Sequence, residues 1–250
     1  MIETNITTLH RFEQNYDAVS RLMEFDNLIL TFAKGALESV QKKVKTYNPN
    51  PLLTKEIDNA LKGINQIHEH ESLRHQYERI NNQCLVLLVS YFALAVESIF
   101  KDSLVAALQR LPSDALKAEP IKVSIDDLRR TEFDLSTSIG DLIARDISFQ
   151  DMQSIARAFQ SYYTIKVVVD KDVNNIILAQ ACRHVIVHSG GIVNQRLQNQ
   201  TSGAQPRDVK TNLVMETELG FEREDVQVIG TSMKTYLNNL VLKIEEVLSD

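Results

Sequence analysis

Apolar residues return at helical intervals along most of this chain. From about Thr8 to Tyr47 they fall at Phe12, Tyr16, Val19, Leu22, Met23, Leu30, Ala33, Leu37 and Val40, the three-and-four spacing that lines one face of a helix. Asn48-Pro49-Asn50-Pro51 stops that helix, because each proline disfavours the α conformation in the residue before it. A second helical stretch starts near Thr54, read as its N-cap, and heads toward Leu111. Its first half, around Gln66 to Asn82, is polar, and its second half carries the longest apolar run, Cys84 to Val96. Leu111-Pro112-Ser113-Asp114 is a break with a fresh cap. More helix is predicted between about Ser124 and Tyr163, with Ser148 capping the latter part. The next helix, from about Asp172 to His188, ends at Ser189-Gly190-Gly191, where glycine can take the left-handed conformation of a C-cap. Gln198 to Arg207 reads as a polar loop, and a weak signal allows one short β-hairpin between Leu213 and Phe221. The last helix is the clearest, with Ile229, Met233, Tyr236, Leu240, Ile244 and Val247 in step.

These elements predict an all-α protein. Residues 81–250 would form a helical bundle, and residues 1–80 a helical extension packed on it. The stripe from Phe12 to Val40 would otherwise lie in water, at about 25 cal/mol per Å² of apolar area. Eight glycines and five prolines in 250 residues strengthen the helical reading, because tight turns are built from those two residue types. The run Cys84–Val96 is shorter than the ~20 residues of a membrane span, and Glu97, Lys101 and Asp102 follow it, so it reads as a core helix. The N-terminus has neither a basic nor an apolar region of the signal-peptide kind. Both cysteines, Cys84 and Cys182, sit within apolar helix and read as buried free thiols. A cytoplasmic protein with no membrane contact is therefore expected.

The net charge of −6 excludes a protein that coats nucleic acid through its whole surface. It leaves room for a local site. From Arg183 to Met215 the basic residues are Arg183, Arg196, Arg207 and Lys210, against Asp208 alone. Those four side chains are candidates for contact with a nucleic-acid backbone.

One cluster resists the reading of a solvated helix face: Cys182-Arg183-His184-Val185-Ile186-Val187-His188-Ser189-Gly190. An arginine and two histidines on so apolar a helix need partners or a cavity open to water. His188 lies at the helix C-terminus, whose dipole attracts positive charge, and histidine exchanges protons near neutral pH. Arg183 and His188 are five apart, about 140° around an ideal helix, so they would flank a groove rather than stack. Structural alternatives stand beside this. Arg183 could pair with an acidic residue such as Glu97, and His188 could cap terminal carbonyls. The i, i+4 pair His184 and His188 suits zinc, but no third ligand sits at helical spacing. His68, His70 and His75 read as a solvated face.

An Arg-x4-His motif near the end of an apolar helix resembles the HEPN superfamily (higher eukaryotes and prokaryotes nucleotide-binding domains). His184 fills the polar slot that commonly follows the arginine there. Leu87–Phe100, with Glu97, is similar to the family's earlier apolar helix bearing a glutamate. Ile147–Ile155 resembles the segment before the motif helix in one bacterial branch. The likeness covers about residues 81–250 and implies a metal-independent endoribonuclease of toxin or phage-defence type, with no cofactor. It implies Arg183 and His188 as catalytic residues, His184 and Glu97 in support, and two motifs facing each other in a homodimer. An antitoxin or nucleotidyltransferase-type regulator would fit the same kind. The family also implies an alternative, a non-catalytic dimeric module that binds a nucleotide, RNA or protein partner.

Overall fold

The computed structural model describes residues 2–47, 49–69, 74–110, 123–135 and 138–249, with the side chains of residues 2, 3, 26, 27, 67–69 and 74–76 excepted. It is all-α, a helical bundle with no strand among the described residues. In chain order the helices are α1 (Ile2–Tyr47), α2 (Pro51–Glu69), α3 (Arg74–Arg110), α4 (Ile125–Arg130), α5 (Ile139–Ala144), α6 (Met152–Tyr163), α7 (Lys171–His188), α8 (Gln195–Thr201) and α9 (Arg223–Ser249). The break expected at Leu111–Asp114, and the side chains of His68, His70 and His75, lie outside the described residues.

Helix α3 is the axis of the bundle. Leu85, Leu88, Phe92, Val96, Ile99, Phe100 and Leu104 are all fully buried, and α1, α5, α6, α7 and α9 pack around them. By length and composition α3 could cross a membrane, but 56% of its most apolar window is buried inside the protein. Phe100 sits among Phe149, Phe159, Tyr162 and Tyr163, with ring centroids 5.4–5.6 Å away, so α6 is clamped to α3 by aromatic edges. Tyr163 donates from its hydroxyl to the Phe100 carbonyl beneath the same cluster.

The first half of α1 belongs to this core. Phe12, Val19 and Met23 are buried, and Phe12 meets Phe92 edge-on at 6.5 Å. Asn5 Nδ2 donates to Ser103 Oγ at 3.1 Å, and Glu13 pairs with Lys234 of α9 at 3.3 Å. The second half of α1 turns back through α2 as a helical hairpin that leaves Phe25, Leu28, Phe32 and Leu52 exposed. Residue 80, the expected end of the extension, lies inside α3. Gly230 on α9 allows α1 its close approach: a Cβ there would stand 2.1 Å from Tyr16 Cε2. Gly230→Ala is expected to lower the Tm, because overpacking costs about 1–3 kcal/mol while the helix-propensity gain is only about 1 kcal/mol. A thermal melt of the variant checks it.

Four local expectations change. Gln198 to Thr201, expected as loop, form the second half of α8. The cap of α2 is Asn50, whose Oδ1 accepts from Leu52 N at 3.0 Å, with Pro51 in the first helical position that suits proline; Thr54 lies inside the helix. Asp151, not Ser148, caps α6, accepting from Ser154 N at 2.8 Å. Residues 213–221 form no hairpin. They run against Gly191–Val193 instead, with Val193 N bonded to Thr217 O at 2.9 Å and Leu219 N to Gly191 O at 2.8 Å, around an isolated antiparallel bridge between Ile192 and Glu218.

Candidate functional site

Helix α7 begins at an Asp170 N-cap and ends where Gly190 and Gly191 take positive φ, 64° and 76°. A side chain at either glycine would be strained there, so the stop is written into the sequence. The turn hands the chain to α8, capped by Asn194, with Val193 and Leu197 buried beneath it. Between the start of α6, the second half of α7 and α8 lies a groove of about 710 Å³. Arg183, His184, Gln180 and Ile177 of α7 form one wall. Arg196, Asn199 and Gln200 of α8 form another, and Gln150 to Ser154 close the end.

Two residues that line this groove each hold a buried donor without an acceptor. Arg183 Nε and Gln180 Nε2 have no hydrogen-bond partner, while Gln180 Oε1 accepts from Met152 N at 2.9 Å and so fixes the amide in place. Among the described residues Arg183 makes no ion pair. A buried unsatisfied donor costs about 1–3 kcal/mol, and both of these belong to residues that line the groove. His184 lies half-buried at the same wall, and its pKa is lowered, first by burial and then by the charges of Arg196, His188 and Arg183. The neutral imidazole is thus favoured there. His188, one turn on, is exposed, and its ring tilts against that of His184 with centroids 4.8 Å apart.

No family model, curated protein or solved structure gives a significant match to this chain.

The other sequence candidates scatter. Glu97 is remote from the groove. It pairs with Lys101 at 2.6 Å, and Lys101 also meets Asp141 at 2.9 Å, beside a second groove of about 870 Å³ that Arg130 and Arg145 share. Within the chain Glu97 thus pairs with Lys101 and not with Arg183. Arg207 is buried and fully engaged. Its guanidinium donates to the carbonyls of Thr201, Ala204, Val209 and Lys210, bracing the loop under α8. That is a structural clamp rather than a surface contact. Lys210 pairs with Asp225 at 3.1 Å and lies 5.6 Å from the Phe221 ring centroid. Arg196 alone of these three points to the groove, exposed and without an ion pair among the described residues.

Among the described residues no third histidine, cysteine or carboxylate joins His184 and His188 as a metal-ligand group. Both cysteines are free and buried, and burial pushes the Cys182 thiol up to about 12. The groove amides were missed at the sequence level. A signal existed, since Ile177, Gln180 and His184 share one helical face with Arg183 at its edge.

Proposed function

We propose that this chain is a metal-independent endoribonuclease of toxin or defence type, acting as a homodimer, with its chemistry in the groove around Arg183. The observation that carries the reading is that Arg183, His184 and Arg196 line one groove, with no ion pair to either arginine among the described residues. A phosphodiester in this groove would meet two cationic side chains and an imidazole. Arg183 and Arg196 hold the phosphoryl oxygens and offset the charge that grows on them. Neutral His184 takes the proton of the RNA 2′-hydroxyl as that oxygen attacks phosphorus. The bond from phosphorus to the 5′-oxygen breaks, and His188 in its protonated form gives that oxygen a proton. The products are a 2′,3′-cyclic phosphate and a 5′-hydroxyl. The likeness of Arg183-His184-x3-His188 to the HEPN motif supports the same chemistry.

The amides of Gln150, Gln153, Asn199 and Gln200 favour one second reading, a groove that binds RNA or a nucleotide without cutting it. Incubating a mixed RNA pool with the protein in chelator, then identifying the termini, separates the two. Cyclic-phosphate ends support cleavage; retained but intact RNA supports binding alone.

Arg196 and Arg207 are expected to part company on substitution. Arg196→Ala should weaken RNA binding and lower the salt slope of the association constant by about one unit, with the Tm unchanged. Arg207→Ala should instead destabilise the fold by about 1–3 kcal/mol, through the carbonyls it leaves unpaired. Filter binding across a salt series and denaturant unfolding read the two effects separately.

A further inference from the structure

Between α6 and α7 the chain leaves Thr164, whose φ of 58° ends the helix, and runs to Asp170 without helix, turn or bend. Its sequence, Ile165-Lys166-Val167-Val168-Val169, is strongly β-forming. Ile165 is buried and Val167 half-buried while Lys166 and Val168 are exposed, a strand-like alternation that ends at Val168, with Val169 and Asp170 both exposed. Its ends are tied down. Ile165 N donates to Phe159 O at 3.2 Å, and Asp170 accepts at its carbonyl from Asn174 N and at Oδ1 from Val173 N. In between, among the described residues, no backbone N–H or C=O of Lys166 to Val169 makes a hydrogen bond. Val168 and Val169 are each 64% exposed. An exposed β-forming segment with bare backbone groups is a template for another strand.

The segment is complementary to itself. When two copies lie antiparallel about a two-fold axis through Val168, Lys166 of each copy stands opposite Asp170 of the other. Val168 faces Val168, and Val167 faces Val169. Moving the axis one residue to either side sets Lys166 or Asp170 against valine instead. Among the described residues neither Lys166 nor Asp170 has an ion-pair partner in its own chain. We propose that residues 166–170 are the edge through which a second copy of this chain docks, as an antiparallel strand pair with reciprocal Lys166–Asp170 contacts. Such an isologous contact closes on itself and exposes no further edge for growth. It rests on the homodimer of the proposed function but not on its chemistry, and it differs from the motif-facing dimer that the resemblance implies, because α7 starts at this edge and its 18 residues carry His188 about 27 Å away.

Sedimentation of the full chain over a concentration series tests the proposal, with three variants beside it. Lys166→Glu sets like charges across the axis and Val168→Pro removes a central N–H. Each should weaken dimerisation about tenfold or more, since cross-strand pairs and ladder bonds are lost twice over. Val168→Cys should couple into a covalent dimer under mild oxidation, faster than Val214→Cys, which places an exposed thiol on a distant loop. Lys166→Glu changes only an exposed side chain, so it keeps the test valid if the proline variant misfolds. A wild type that stays monomeric at its highest soluble concentration overturns the proposal, including the case in which the edge takes a foreign strand. So does a dimer indifferent to Lys166→Glu, or a Val168→Cys coupling no faster than that of Val214→Cys.

Discussion

Replacing Arg183 by alanine is expected to bring metal-free RNA cleavage to background while the Tm stays within experimental error of wild type. Its guanidinium makes no ion pair among the described residues, and its Nε has no acceptor, so the fold has little to lose. Removing a charge stabiliser from a phosphoryl-transfer site costs about 10²–10³ in rate. His188→Ala removes a proton carrier and should cost about 10²–10⁴, and His184→Ala a similar factor. The pH profile adds a readout that a merely structural role would not move. His184 acts in its neutral form, and its pKa is lowered by burial and by the neighbouring positive charges. The rise in rate with pH should therefore fall below the ordinary histidine value of ~6.5, and it should vanish in His184→Ala. Single-turnover cleavage of a labelled RNA in chelator, from acid to neutral pH, measures both. Cleavage that survives Arg183→Ala and His188→Ala sinks the assignment, as does wild-type activity that appears only on adding metal.

The largest stability effect is expected at Phe100. Phe100→Ala should cost about 3–5 kcal/mol, because the side chain is fully buried and touches four aromatic rings from α6 and the turn before it. Those contacts hold α6 against α3, and the start of α6 is one end of the groove. The variant should thus lose part of its RNA activity as a secondary consequence. Urea unfolding followed by circular dichroism gives the first number. A loss below about 1 kcal/mol would mean that α6 does not pack as described.

The helical class, the core role of Cys84–Val96 and the ends of α7 were legible because each rests on local physics: periodicity, a long apolar run, two glycines at positive φ. The caps of α2 and α6 were misread by a few residues, since Thr54 and Asn50, or Ser148 and Asp151, offer the same side-chain oxygen at nearby positions. Long-range pairing was not legible. Leu213–Phe221 has the look of a hairpin, but its partner is the Gly191–Val193 turn that precedes α8. Charge alone could not separate Arg196 from Arg207, because their difference is burial: one faces a groove, the other fills a loop with its own hydrogen bonds. Glu97 matched an expected motif helix, yet Lys101 one turn along supplies its partner. Of the candidate groove, Arg183, His184 and Arg196 were singled out from the sequence, and the amides of Gln150, Gln153, Gln180, Asn199 and Gln200 were not.

Helix α1 is one continuous rod with two different obligations. Up to Met23 its side chains interlock with Phe92, Ser103 and Lys234, so a change there must be answered by a change in α3 or α9. From Phe25 onward it contacts α2 and solvent, and that constraint lapses. Over evolutionary time the outer hairpin is free to diverge, lengthen or be exchanged while the inner turns stay tied to the bundle. A chimera that swaps this hairpin between related chains should fold when the splice falls beyond Met23, and fail when it falls before Phe12.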